Sequence, residues 1–316
     1  MEIKIRIGHL STFYHTAVLL MSGALESWPI KGINPEWKLF GTGPAIVEAF
    51  RQGLIDLAYI GLPPAIIGME QGVEIKCIAG GHMEGTVLAG AADLKGHPEL
   101  PGLREALCQL KGSNVGVPGK GSIHDVILAD ALERYGLKKE VGVINFKWAD
   151  AITEAFVKED VRAAVGTPAL AVAVRRYAGG KLLVPPHLIW PGNPSYGIVA
   201  KSDFLDAHPE IIADFLKKHE EAAALMRERP GLCARKIAAY TGVIDADFIL
   251  ETIGISPKYC AQLAGKYVRS TMDFVKTMKR LGYIGRTLSE DEIFDTGLIR
   301  RVHPPGDHYG PAGSPP

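Results

Sequence analysis

Leu110-Lys111-Gly112-Ser113-Asn114-Val115-Gly116-Val117-Pro118-Gly119-Lys120-Gly121-Ser122 is the stretch from which the architecture can be worked out. Ser113 to Val117 reads as a strand, and Pro118 to Ser122 as a glycine-rich turn. Ser122 and Asp125 form an S-x-x-D cap for a helix that runs to Tyr135, with Gly136 as its stop. Downstream, Val141 to Phe146 is a strand, Asp150 caps a helix from Ala151 to Lys158, and Val161 to Val165 is another strand. Gly166-Thr167-Pro168 then opens a helix to Tyr177.

Upstream the same order is already present. Ile3, Ile5 and Ile7 share one face of a strand ending at Leu10, and Ser11-Thr12 offers a cap for a helix to Leu25. Glu36 to Phe40 is a strand, Gly41-Thr42-Gly43-Pro44 a turn, and Ala45 to Gly53 a helix. Asp56 to Ile60, Gly61-Leu62-Pro63-Pro64, Ala65 to Gln71 and Val73 to Ala79 repeat the theme. Alternation of this kind predicts two α/β units, each with a parallel sheet covered on both faces. The remainder differs. Ser195 to Ala200 reads as one strand, and helical pattern follows from Pro209, including a long helix capped by Ser256-Pro257 and ending at Gly282. Ser289-Glu290-Asp291-Glu292 is a capping box. The helical tail is expected to pack on the first unit, and Pro304 to Pro316, rich in Pro and Gly, to be disordered.

The bulk composition narrows the function. The 316 residues hold 35 Lys+Arg and 35 Asp+Glu, so no basic excess points to nucleic acid or anionic lipid. Cys77, Cys108, Cys233 and Cys260 match no zinc spacing and read as buried small hydrophobes. His15, His82 and His124 show no H-x-x-H or H-E-x-x-H spacing, so neither a metal nor another cofactor is expected. Gly41-Thr42-Gly43 lacks the third glycine of a dinucleotide fingerprint, and Gly119-Lys120-Gly121-Ser122 misses the phosphate-loop spacing. No stretch is apolar enough to span a membrane. The chain opens directly on a strand, with no signal peptide, so either an export signal was trimmed or the protein is cytoplasmic as written.

Several pieces together resemble a known family. They are the strand followed by Ser11-Thr12-Phe13-Tyr14-His15, the run Ala49 to Tyr59 with its G-x-x-D, the Leu110 to Ser122 stretch, and Ile198 to Leu205 before His208-Pro209-Glu210. In this order they resemble the nitrate, sulfonate, taurine and thiamine-precursor group of solute-binding proteins that serve ABC importers. The resemblance implies a type II periplasmic-binding-protein fold, two lobes joined by two crossover strands. The crossings fall near Gly85 to Ala91 and Trp190 to Ala200. Lobe one is then 1–90 plus 195–303, lobe two 91–194, and 304–316 the tail. It also implies an extracytoplasmic, monomeric binder with a permease partner. The sequence departs from the family at Gly166-Thr167-Pro168 and lacks the cysteine-rich motif of the thiamine-pyrimidine synthase branch, which disfavours an enzyme.

Ligands of open α/β sheets sit beyond the carboxyl ends of strands, where helix N-termini offer free N–H groups. The candidate turns are Ser11-Thr12-Phe13-Tyr14-His15, Gly41-Thr42-Gly43, Gly61-Leu62, Lys120-Gly121-Ser122 and Gly166-Thr167. Tyr59, Trp148 and Tyr196 are candidate aromatic walls, His82 and His124 candidate donors, and Glu84 a candidate acceptor for a ligand amine. With Lys120 as the one cation firmly inside such a loop, a monoanion or an uncharged pyrimidine-like solute fits better than a dianion. A cytosolic sensor on the same fold, and an enzyme of thiamine-type metabolism using His15 and Glu84, are the alternatives.

Overall fold

A computed structural model describes residues 2–306 and 308–309. The chain opens with β1 (Ile3–Leu10), α1 (Thr16–Met21), β2 (Ile33–Phe40), α2 (Gly43–Arg51), β3 (Leu57–Ile60), α3 (Leu62–Glu70) and β4 (Ile75–Met83). It crosses into β5 (Val87–Gly90), α4 (Leu103–Cys108), β6 (Asn114–Pro118), α5 (Ile123–Arg134), β7 (Gly142–Phe146), α6 (Ala151–Val157), β8 (Ala163–Gly166), α7 (Pro168–Ala178), β9 (Lys181–Val184) and α8 (Pro186–Ile189). It returns through β10 (Pro194–Lys201), α9 (Ser202–Ala207), α10 (Pro209–Glu228), α11 (Pro230–Thr241), α12 (Ala246–Ile255), α13 (Gly265–Leu281), α14 (Glu290–Ile293) and α15 (Gly297–Val302).

Two five-stranded sheets result, ordered β2-β1-β3-β10-β4 and β7-β6-β8-β5-β9. They are mixed rather than all-parallel. β10 runs antiparallel to β3 and β4, and β5 antiparallel to β8 and β9, because each crossing strand enters its sheet against the grain. Residues 87–90 pair inside the second sheet, so the first crossing is 84–86, earlier than the sequence boundary, and the second is 185–193.

Local signals set most helix starts. Ser122 accepts from the Asp125 N–H, Thr167 caps α7 in the same way, and Ser289 forms the expected capping box. Others differ. α1 begins at Thr16 with His15 at its N-cap, so Ser11-Thr12 caps nothing, and Asp150 makes no capping bond. The long helix starts at Gly265, not after Ser256. Residues there are pulled onto β4: Met83 N–H donates to Lys258 O, Cys260 N–H to Gly81 O and Gly80 N–H to Ala261 O. Backbone pairing with a sheet edge outweighs helix propensity at this point.

The helical C-terminal region packs on the first sheet as expected, but α13 also reaches lobe two. Its Tyr267, Phe274, Val275 and Met278 are buried in a core shared with Leu88, Val117 and Val126. Just beyond it, Tyr283 OH donates to Asp125 Oδ2 at 2.7 Å, and Arg280 ion-pairs with Asp130 and Glu133. On the other flank Arg176 pairs with Asp245 at 3.0 Å and with Glu251. The expectation of disorder from Pro304 fails at Tyr309, which is buried and donates to Cys260 O at 2.6 Å. Within that segment, Asp307 and 310–316 lie outside the described residues.

Candidate functional site

The turns at the carboxyl ends of β1, β2 and β3 face those of β6, β7 and β8 across a narrow gap. Between them is a cavity of about 50 Å³ lined by Leu10, Ser11, Thr12, Tyr14 and His15, by Gly41, Thr42, Gly43, Gly61 and Pro64, and by Pro118, Ser122, Ile123, His124, Ala149 and Thr167; Ser195 and Tyr196 of β10 form its back wall. Ser11 Oγ donates to Asp150 Oδ2 across the gap at 3.3 Å, so the lobes meet. At the mouth a second cavity of about 450 Å³ is bordered by Gly41, Thr42, Gly119, Lys120 and Trp148.

The helices α2, α3, α5 and α7 start at Thr42, Gly61, Ser122 and Thr167, and all four residues line the cavity. Their partial positive ends bear on this space from both lobes, with N–H groups only from first-turn residues other than Pro44, Pro63, Pro64 and Pro168, which have none. Among the described lining residues none carries a formal charge. Burial pushes His15 well below the ordinary histidine pKa and His124 down to about 4, so both rings are neutral near pH 7. His124 Nδ1 lies 3.1 Å from Thr86 Oγ1. His15 packs its ring 4.0 Å from Tyr196, and burial pushes the Tyr196 hydroxyl up to about 12. Two lining atoms, Thr12 Oγ1 and His15 Nδ1, are buried with no hydrogen-bond partner. Orphaned polar atoms of this kind cost roughly 1–3 kcal/mol each, and a ligand that met them would recover it.

The geometry thus gathers Ser11, Thr12, Tyr14, His15, Gly41, Thr42, Gly43, Gly61, Ser122, His124, Thr167 and Tyr196. It places other sequence candidates elsewhere. Tyr59 and Leu62 are fully buried in the core, and Tyr59 OH lies 3.5 Å from His219 Nδ1. Phe13 packs against the lobe-one core, and Gly166 turns toward Leu170. Lys120 and Trp148 sit at the mouth, not in the enclosed cavity, while the Gly121 N–H is taken by Asp125 Oδ2 at 2.8 Å. His82 lies behind the cleft, its Nε2 2.7 Å from Ser256 O, and burial lowers its pKa to about 4. Glu84 accepts from Gly192 N–H at 2.8 Å and from Lys258 Nζ at 2.5 Å, so it ties one crossing to the other instead of meeting a ligand amine. Burial would raise its pKa, but Lys258 and Gly192 outweigh that and hold the carboxyl below its usual range. Leu10, Pro64, Pro118, Ile123, Ala149 and Ser195 also line the cavity, beyond the residues the sequence pointed to. Ile123 and Ala149 had a signal, since each adjoins a strand-end turn.

The profile of the NMT1-like family matches residues 3–240. The taurine-binding periplasmic protein of Escherichia coli (strain K12) is 24% identical over 271 residues, 80% of this chain and 79% of that one. Among solved structures, the alkanesulfonate-binding protein of Xanthomonas axonopodis pv. citri, bound to MOPS, matches with a TM-score of 0.79 at 17% identity, covering 93% of this chain and 99% of the other. The nitrate-binding protein of Synechocystis PCC 6803 matches with a TM-score of 0.76 at 14% identity, covering 95% and 88%. The α/β architecture of two lobes is the fold common to them.

Proposed function

The chain belongs to the NMT1-like family, and from that premise we propose that it traps a small monoanion reversibly between its lobes as the solute-binding component of an ABC importer. The observation that carries this reading is the convergence of four helix N-termini from both lobes on one cavity whose lining has no charged side chain. Such a site attracts one negative charge through dipoles and N–H groups, and leaves a second charge without a countercharge. Nitrate and an alkanesulfonate, the solutes named for two of its relatives, are monoanions, and taurine, named for a third, presents one sulfonate beside its ammonium; a single anionic group common to all three supports the choice. A cavity of about 50 Å³ suits a solute of a few heavy atoms, and a longer body requires the lobes to part.

In this reading the chain works outside the cytoplasm, releases its solute unchanged and catalyses nothing. Neutral His15 and His124 are donors or acceptors to the solute, with Ser11, Thr12, Thr42, Ser122 and Thr167 beside them. The test is a calorimetric titration with nitrate, taurine, methanesulfonate, sulfate and a free pyrimidine. At least one monoanion is expected to bind with saturable heat and to raise the melting temperature with concentration. Tighter binding of sulfate than of every monoanion would overturn the charge assignment. Binding of the pyrimidine alone would replace it with the uncharged solute.

A further inference from the structure

Away from the cleft, four groups able to bind metal meet on the outer side of lobe one. Glu220 comes from α10 and Cys260 from the extended segment beside β4. His303 follows α15, and His308 lies just beyond. One ligand atom from each lies within 4.8 Å of all the others. Cys260 Sγ is 3.0 Å from His303 Nε2 and 3.8 Å from His308 Nδ1, and Glu220 is 3.6 Å from each histidine. Ligand–ligand edges of about 3.3–3.8 Å are what a tetrahedral ion with bonds of about 2.0–2.3 Å requires, so the two glutamate–histidine spacings and Cys260–His308 already match, while Cys260 and His303 have to part slightly to admit the ion.

We infer that Glu220, Cys260, His303 and His308 form a four-ligand site for a borderline-soft divalent cation, Zn²⁺ first, that fastens His303 and His308 onto lobe one. The donor set suits that ion: one thiolate, two imidazoles and one carboxylate. Thiolate and carboxylate match the two positive charges of the ion, Arg227 stays paired with Glu220 and has to give up its 3.5 Å contact with His308 Nδ1, and the Cys260 thiol proton leaves to solvent as the sulfur–metal bond forms. The ligands are held from behind. Ala261 N–H donates to Glu220 Oε2 at 2.7 Å, Arg227 Nη2 donates to Glu220 Oε1 at 2.9 Å, and Gln262 N–H donates to Cys260 Sγ at 3.3 Å. A cavity of about 310 Å³ bordered by Thr296 and Arg300 reaches the site at one ligand, His303. The sequence expectation of no metal rested on other histidines. The H-x₄-H spacing of His303 and His308 lies within the zinc-ligand range, but its partners are far away in the chain.

The test uses the full chain, stripped with chelator, kept reduced and titrated with Zn²⁺ and with Co²⁺. One equivalent of Zn²⁺ is expected to bind and to raise the melting temperature, and the Co²⁺ form to show strong four-coordinate visible bands with a thiolate charge-transfer band. Cys260→Ser and His308→Ala are each expected to weaken Zn²⁺ binding by 10-fold or more and to remove or shift the cobalt spectrum. His308 is the most exposed ligand, so its variant guards against a folding failure, checked by circular dichroism and elution volume. No stoichiometric uptake by the unaltered chain, or uptake unchanged in both folded variants, would overturn the site.

Discussion

At the scale of single residues, the cleft is distinguished by polar atoms left unpaired where apolar ones would have been simpler. Thr12 Oγ1 is the clearest, buried without a partner. Thr12→Val removes the hydroxyl at nearly constant shape. It is expected to leave the solute-free protein as stable or slightly more so, and to weaken solute binding about tenfold. Paired melting curves and titrations check both halves, and equal affinity would place the hydroxyl outside the recognition set. The buried histidines give a second expectation. His82 and His124 titrate near 4 and His15 well below the usual value, all because burial disfavours the charged ring. Below about pH 6.5 the unfolded chain binds protons that these rings refuse. Stability present above that pH is therefore lost as pH falls from about 6.5 toward 4, while solute affinity stays flat between pH 6.5 and 8. A series of melting curves across buffers reads the slope; a melting temperature constant from pH 7 to 4.5 would contradict it.

At the scale of elements, the strand–turn–helix unit was legible because three independent signals coincide there: period-2 strands, glycine turns and a polar cap. Ser122 is the case in point, accepting from Asp125 N–H while lining the cavity. Ser122→Ala is expected to cost about 1 kcal/mol of stability through the lost cap and to lower solute affinity as well. Denaturant midpoints and titration separate the two. β9 was not legible, having little pattern of its own, and β5 came only from the crossing near Gly85 to Ala91 that the family resemblance implied. The start of α13 was misplaced because 258–261 finds backbone partners on β4, which no local signal announces. The turns that line the cavity were legible for the same reason as the units. Which way a residue beside a turn points was not, since Tyr59 and Leu62 face the core only once the sheets are packed.

At the scale of the whole molecule, the lobes are shut. A side chain at Gly41 would come within 2.8 Å of Lys147 O and 2.9 Å of the Trp148 ring on the opposite lobe. Gly41→Leu is therefore expected to prop the mouth open. Solute affinity falls more than tenfold, the solute-free melting temperature changes little, and the scattering radius no longer shrinks on adding solute. Normal affinity with normal shrinkage would mean that the mouth is not where the lobes close. The uncharged lining has one more consequence. Dipoles fade with distance much faster than charges do, and those here are shielded behind the mouth. From afar an approaching anion is drawn only by Lys120 and Lys147 at the mouth, and not by the lining itself. Raising the ionic strength should therefore slow capture only as far as it screens those two lysines, and should leave the hold inside the cleft nearly unchanged.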